Sequence, residues 1–174
     1  MRTLSCRTLS NRVALTCALL AMTSLAVADD DAGQDRYVRK LGAETIQAYE
    51  LPWDNPLLKP PGPARPGITT IYLHGFEKIY DVYTVAYRFA PGVQQPPHSH
   101  PDNRSCFVLA GVWLFAYGTQ YDQSKLVTLY TGAHYTEPGD QPHFASAGTE
   151  GAIVECTSHG PSGTTYVNPA DAPS

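Results

Sequence analysis

The sequence lacks the short motifs that mark several common enzyme classes. It has no Gly-x-Ser-x-Gly turn of a serine hydrolase and no glycine-rich loop ending in Lys-Ser or Lys-Thr that would cradle a phosphate. It has no Cys-x-x-Cys pair either. These absences set aside nucleophilic hydrolases, phosphate-loop enzymes and thioredoxin-like redox proteins.

Basic residues are few, and three of them belong to a predicted signal sequence. The only charges in the first 28 residues are Arg2, Arg7 and Arg12. An uncharged run from Val13 to Ala28 follows them and closes on Ala-Val-Ala, which is typical of a cleaved secretory signal. A retained membrane anchor is the alternative, but the run is shorter than the roughly 20 apolar residues that span a bilayer. We therefore predict a signal peptide over residues 1–28 and a periplasmic or secreted protein.

The predicted mature chain is acidic. Three of the 12 Lys and Arg leave with the signal. The mature chain keeps nine of them against 16 Asp and Glu, which gives a net charge of −7 with His neutral. No cluster of Lys and Arg is present to hold phosphates, which argues against nucleic acid or an anionic membrane surface as the partner. We expect a small-molecule substrate as the partner. The chain could also form a homodimer.

The mature chain has a length that suits one domain. Residues 29–67 are predicted to form a short N-terminal helix, QDRYVRKLGAETIQAYE, followed by a linker dense in proline and glycine. Residues 68–174 contain many short runs rich in Val, Ile, Thr and aromatics, separated by turn residues. This pattern predicts an all-β domain, either a sandwich or a barrel.

Two cysteines, Cys106 and Cys156, remain in the mature chain. In an oxidising compartment they could form a disulfide. The alternative is that both are small buried hydrophobic residues. The sequence leaves the two readings open.

All six histidines lie after residue 28, and two of them form the pattern His98-Ser99-His100. Residues two apart on a strand point to the same face, so both imidazoles could converge on one point. Two such imidazoles are half of a metal site, although a chance pair in a polar loop would look the same.

The segment around this pair resembles the first motif of the cupin superfamily, in which a glycine, His-x-His, usually a Glu and a second glycine follow at fixed spacing. The matching positions are Gly92, His98, His100, Arg104 and Gly111. The later segment GAHYTEPGDQPHFASA resembles the second cupin motif through Gly132, Pro138 and His143, with Asp140 in place of the usual glycine and Ala147 in place of the usual asparagine. The end of the chain, HGPSGTTYVNPADAP, looks like the tail of exported bacterial cupin-domain proteins of uncharacterised activity.

The resemblance covers about Ile68 to Pro173 and implies a cupin double-stranded β-helix, a small jelly-roll barrel. It also implies that His98, His100 and His143 project into the barrel and hold a divalent transition metal. Three imidazoles suit Fe, Mn, Zn, Ni or Cu, so the metal's identity is not decided. The implied strand order places the two cysteines on neighbouring strands.

Arg104 departs from the motif, because it stands where the usual Glu would supply a fourth ligand. An Arg cannot ligate a metal, so the site is predicted to be a three-nitrogen variant with positions open for water or substrate. An inward Arg104 would suit a substrate carboxylate held two-pronged, which makes it a candidate catalytic residue. The alternatives are an outward Arg104 in a surface ion pair, or a barrel that has lost its metal.

His134 is the second candidate catalytic residue. It lies two residues after Gly132 on a predicted strand and could adjoin the cavity as an acid–base group or as a partner of a metal ligand. Four aromatics on predicted strands could line the pocket, although an aromatic on a strand is more often core: Tyr87, Trp113, Tyr117 and Tyr130.

The leading functional hypothesis is a metal-dependent enzyme that acts on a small anionic or polar molecule. A dioxygenase-type oxidoreductase is favoured, with isomerase or lyase chemistry as its neighbours. The alternative is a non-catalytic metal or small-molecule binding module, because a barrel that encloses a ligand need not transform it. The missing Glu and Asn of the two motifs favour that alternative.

Overall fold

The computed structural model describes residues 46–173, which form an all-β domain as predicted. Its strands are β1 Ile68–His74, β2 Val82–Phe89, β3 Gln94–Ser99, β4 Arg104–Tyr117, β5 Val127–Tyr130, β6 His134–Glu137, β7 His143–His159 and β8 Thr165–Tyr166. Short 3-10 turns lie at Ala48–Glu50, Pro56–Leu58, Gln123–Lys125 and Pro169–Asp171. The predicted N-terminal helix lies outside the described residues except for its last turn.

The strands form two halves that share the long strands β4 and β7. The second half of β7 pairs with β2 and with the first half of β4, and β1 and β6 complete that side. The first half of β7 pairs with β3 and with the second half of β4, and β8 and β5 complete the other side. All pairs are antiparallel. The predicted jelly-roll barrel is thereby confirmed, with its core between the two halves.

Alternation along the strands decides which side chains fill that core. In β4 the buried residues Arg104, Cys106 and Val108 alternate with the exposed residues Ser105 and Phe107. Because successive strand residues point to opposite faces, the inward set meets the inward sets of the other strands. The result is one main apolar cluster that includes Tyr83, Val85, Phe89, Trp113, Phe115 and Val154.

The proline-rich segment 51–67 contains no strand and packs on the outside of the barrel. Trp53 and Leu58 are buried in a second apolar cluster with Ile71 of β1 and Ile153 of β7. The guanidinium of Arg88 lies 4.9 Å from the centre of the Trp53 ring, a cation–π distance. None of the helical turns among residues 46–173 is long and apolar enough to cross a membrane.

Cys106 and Cys156 form a disulfide, which settles the question that the sequence left open. They are directly opposite residues of β4 and β7, with Cα atoms 4.1 Å apart. Both are buried. The bond therefore joins the two long strands next to the core.

Candidate metal site

The three motif histidines come from two strands that meet inside the barrel. His98 of β3 and His143 of β7 are opposite residues, and His100 follows the end of β3 with its side chain on the same face. One ring nitrogen of each residue lies within 4.8 Å of the others. All three side chains are buried, so the structure brings together the ligand set that the resemblance implied.

Backbone carbonyls fix which nitrogen of each imidazole faces the cavity. Nδ1 of His98 lies 2.7 Å from the Pro96 carbonyl oxygen, Nδ1 of His100 2.7 Å from that of Gly163, and Nδ1 of His143 3.0 Å from that of Gln141. A carbonyl oxygen can only accept, so each Nδ1 carries the proton and donates. Each Nε2 is then unprotonated, which is the state that ligates a metal, and of the three only Nε2 of His100 has a hydrogen-bond donor among the described residues, Arg104 Nη1 at 3.2 Å.

Burial keeps two of these imidazoles neutral. It lowers the pKa of His98 to about 3, with the neighbouring His143 as the next cause, and it lowers the pKa of His100 to about 2, with the charge of Arg104 as the next cause. Both rings are therefore uncharged at pH 7, as metal ligation requires.

Asp140 explains how the second motif keeps its turn without the usual glycine. Its φ is 59°, in the left-handed region that Asp tolerates better than most residues. Its backbone N–H donates to the carbonyl oxygen of His100 at 2.7 Å. This bond ties the turn before His143 to the first motif.

Arg104 points into the barrel and is 4% exposed, so it is not a surface residue. Nε donates to Asp102 Oδ2 at 3.3 Å and Nη2 donates to Ser162 Oγ at 2.8 Å. Asp102 is itself held by Tyr83 Oη at 2.6 Å and by the Ser162 hydroxyl. The fork that was expected to clamp a substrate carboxylate is thus already used within the protein.

Only Nη1 of Arg104 is directed to the cavity. It donates to Tyr87 Oη at 3.3 Å and to His100 Nε2 at 3.2 Å. Ligation of a metal by His100 would require that the second bond is given up, and Tyr87 remains as an acceptor. Arg104 can therefore offer a ligand one hydrogen bond in the cavity, and the expected two-pronged clamp is corrected to a single contact.

Glu137 is the site residue that the sequence analysis missed. It is the last residue of β6, it is opposite Arg104 in the β4–β6 pair, and it is buried. Its carboxylate oxygens lie 3.5 Å from His100 Nε2 and 3.7 Å from His143 Nε2. A carboxylate just before Pro138 of the second motif was the signal available in the sequence.

His134 lies on the opposite face of the same strand, which corrects the expectation that it adjoins the cavity. It is exposed, and its Nε2 lies 3.0 Å from the exposed hydroxyl of Ser105. It stands three positions from the inward Glu137, an odd number, so strand alternation turns it outward. Of the four aromatic candidates, Tyr87 and Trp113 line the cavity while Tyr117 and Tyr130 are exposed.

The cavity around the histidines is small and largely aromatic. Its volume is about 70 Å³, and its walls include Phe89, Phe115, Tyr135 and Tyr166. An outer chamber of about 350 Å³ shares Tyr87, Gln95, Thr164 and Tyr166 with it and is lined on another side by the proline-rich segment. A more open groove of about 510 Å³ beside Gly111 contains no histidine.

The donor set fits a metal ion on the evidence of its own unpaired atoms. Nε2 of His143 and Oε2 of Glu137 are buried and have no hydrogen-bond partner among the described residues. A buried polar atom without a partner costs free energy on the order of 1–3 kcal/mol. A cation among these acceptors would satisfy both atoms at once.

Comparison with known proteins finds likeness in structure but not in sequence. Neither a protein-family profile nor a curated protein sequence matches this chain. A mutant of salicylate 1,2-dioxygenase from Pseudoaminobacter salicylatoxidans, in complex with gentisate, matches with a TM-score of 0.50 and 16% identity over 60% of this chain. KdgF from Halomonas sp. matches with a TM-score of 0.45 and 20% identity over 55% of this chain and 82% of its own. An RmlC-like cupin from Shewanella frigidimarina gives a TM-score of 0.44 and 20% identity, over 53% of this chain and 76% of its own.

The chain spans 30% of the length of that salicylate dioxygenase, so the likeness concerns the barrel and not a whole enzyme. The strand topology, the convergence of the motif histidines and the structural neighbours agree. The described chain therefore has the cupin fold, with a three-histidine group inside the barrel that can hold a metal ion.

Proposed function

We propose that this protein is an exported metal-dependent enzyme that acts on a small anionic or polar molecule, with a dioxygenase-type oxidation as the favoured reaction and isomerase or lyase chemistry as alternatives. The observation that carries the proposal is the set of three Nε2 lone pairs in one cavity, each fixed by a hydrogen bond from its Nδ1 to a carbonyl oxygen. His98, His100 and His143 would hold a divalent transition metal such as Fe, Mn, Zn, Ni or Cu. When bound, such an ion supplies Lewis-acid and, for Fe, Mn or Cu, redox chemistry.

The residues of the chain would bind and orient the substrate next to the histidines. Burial raises the pKa of Tyr87, so its hydroxyl keeps its proton. That hydroxyl accepts a hydrogen bond from Arg104 Nη1 and can still donate its own proton to a substrate oxygen. Gln95 Oε1 is buried without a partner among residues 46–173 and can accept a hydrogen bond from a substrate hydroxyl.

The dimensions of the two chambers limit the substrate. Drug-sized ligands occupy pockets of about 300–1,000 Å³, a range that the outer chamber reaches and the cavity of about 70 Å³ does not. We expect the substrate to place one polar group near the histidines and its body between Tyr166 and the proline-rich segment. A molecule of one small ring or a short chain meets this requirement.

The structural likeness to a dioxygenase supports the assignment of the barrel fold. It does not identify the reaction, which has to be tested. A non-catalytic binding module is the second candidate, and two observations favour it. The cavity beside the histidines is small, and two of the three guanidinium nitrogens of Arg104 already donate hydrogen bonds to Asp102 and Ser162.

The metal site is tested by metal analysis of protein purified from the periplasm of its own host. We expect close to one equivalent of a single transition metal in the wild type and a loss of at least about tenfold in His143→Ala. His134→Ala is the matched control, because it removes an exposed imidazole, and it should keep its metal. Equal metal content in wild type and His143→Ala would refute the site.

Catalysis is tested separately from binding. Oxygen uptake is measured for the metal-loaded protein in air with a panel of small carboxylic acids, thiols and phenols, and binding of the same compounds is measured by calorimetry. Turnover of one compound that His143→Ala does not turn over supports the enzyme. Binding without any oxygen uptake or product would favour the binding module.

A further inference from the structure

We infer that Glu137 is a fourth metal ligand, so that a carboxylate reaches the metal from β6 although the usual acidic position in β4 is an arginine. The inference rests on the proposed metal site and adds a ligand to it. It replaces the three-nitrogen site that the sequence suggested.

Strand register places Glu137 beside two of the three site histidines. Glu137 and Arg104 are opposite residues of β4 and β6 and point to the same inner face of the barrel. Oε2 of Glu137 lies 3.5 Å from His100 Nε2, and Oε1 lies 3.7 Å from His143 Nε2. Each carboxylate oxygen therefore faces a different histidine of the site.

The atoms that face one another are all acceptors. The proton of each imidazole is on Nδ1, and a carboxylate offers only lone pairs. The separations of 3.5 and 3.7 Å also exceed the range of an ordinary hydrogen bond. Arg104 Nη1 donates to His100 Nε2, but Nε2 of His143 has no donor among the described residues. A cation between that nitrogen and the carboxylate of Glu137 would relieve the unfavourable contact of two buried acceptors, as in a metal site.

Arg104 forms an ion pair with Glu137 but no hydrogen bond to it. Nη1 of Arg104 is 3.8 Å from Glu137 Oε2, beyond hydrogen-bond range, whereas Nε is bonded to Asp102. Oε2 of Glu137 remains without a hydrogen-bond partner in the described part of the chain. Asp102 is therefore the hydrogen-bonded carboxylate partner of Arg104, and Oε2 of Glu137, although near the guanidinium charge, keeps a lone pair that a metal could use.

The charge balance is consistent with this division of roles. Arg104 and Asp102 cancel, and Glu137 with a divalent ion leaves a single positive charge in the site. That remaining charge would favour a substrate with one negative group, which agrees with the anionic molecule proposed above.

Zinc affinity is measured for the whole chain by competition with a chelator. We expect Glu137→Gln to weaken zinc binding by about 100-fold, the upper part of the range for changes around a metal. Glu155→Gln is the matched control, since it makes the same change at a partly buried carboxylate on the outward face of β7, and it should keep an affinity close to that of the wild type. Equal losses in the two variants, or no loss in Glu137→Gln, would overturn the assignment.

A crystal structure of the zinc-loaded wild type decides the question even if Glu137→Gln fails to fold. The expected result is a Glu137 oxygen at about 2.0–2.2 Å from zinc, together with three histidine nitrogens. Water in that position, with Glu137 turned to Arg104, would overturn the inference but keep the metal site. Zinc binding that His143→Ala leaves unchanged would instead refute the proposed function.

Discussion

Reduction of the Cys106–Cys156 disulfide is expected to destabilise the barrel by a calculable amount. The two cysteines are separated by 50 residues along the chain. In the chain-entropy description, breaking a disulfide that closes a loop of that length lowers the free energy of unfolding by about 4 kcal/mol at 25 °C. The usual loss for a native disulfide in a small secreted domain is about 2–5 kcal/mol. Both residues are buried, so the reduced thiols would remain in the core, and the loss expected from the chain-entropy description comes from the greater freedom of the unfolded chain.

The assay is urea unfolding followed by tryptophan fluorescence, because Trp53 and Trp113 are both buried. With a slope of about 2 kcal/mol per molar urea, a loss of about 4 kcal/mol lowers the midpoint by about 2 M. A double variant, Cys106→Ala with Cys156→Ala, should start near the reduced midpoint and should not respond to a reductant. A midpoint that reductant leaves unchanged in the wild type, or two free thiols in unreduced denatured protein, would refute the reasoning.

Three further predictions concern other parts of the chain. Mass spectrometry of the protein purified from its own host should find a mature N-terminus directly after Ala28, and a chain that retains the preceding residues would contradict the predicted export by a cleaved signal. Gly111→Ala should lower the free energy of unfolding by at least about 2 kcal/mol, because φ is +74° and an added Cβ would lie 2.3 Å from the Gly151 carbonyl oxygen. Gly92→Ala is the control: φ is similar, +69°, but the space around it is open, so the loss should be only about 1 kcal/mol. Burial raises the pKa of Glu155, so above the ordinary carboxyl pKa its ionisation stabilises the unfolded chain relative to the folded one. Glu155→Gln should therefore raise the thermal midpoint at about pH 7 but not at about pH 3. An equal gain at both pH values would argue against a charge effect.

The sequence determined the all-β class and the identity of the three histidines. Alternation is a local property, so the pattern His98-Ser99-His100 by itself implied that two imidazoles share a face. The motif resemblance then brought in His143. Asp140, which departs from the second motif, adopts a left-handed backbone, the region that favours glycine.

Only the tertiary structure decided which residues complete the site. The position of Glu137 opposite Arg104 depends on the pairing of β4 with β6, and a shift of one residue would have turned His134 inward instead. The partners of Arg104 come from β2, the β3–β4 turn and the segment after β7, and no local pattern links these segments. The disulfide likewise required the register of β4 against β7. Strand periodicity depends on neighbouring residues, whereas register and strand order depend on packing between distant segments. That packing decides which charged side chains meet in the site.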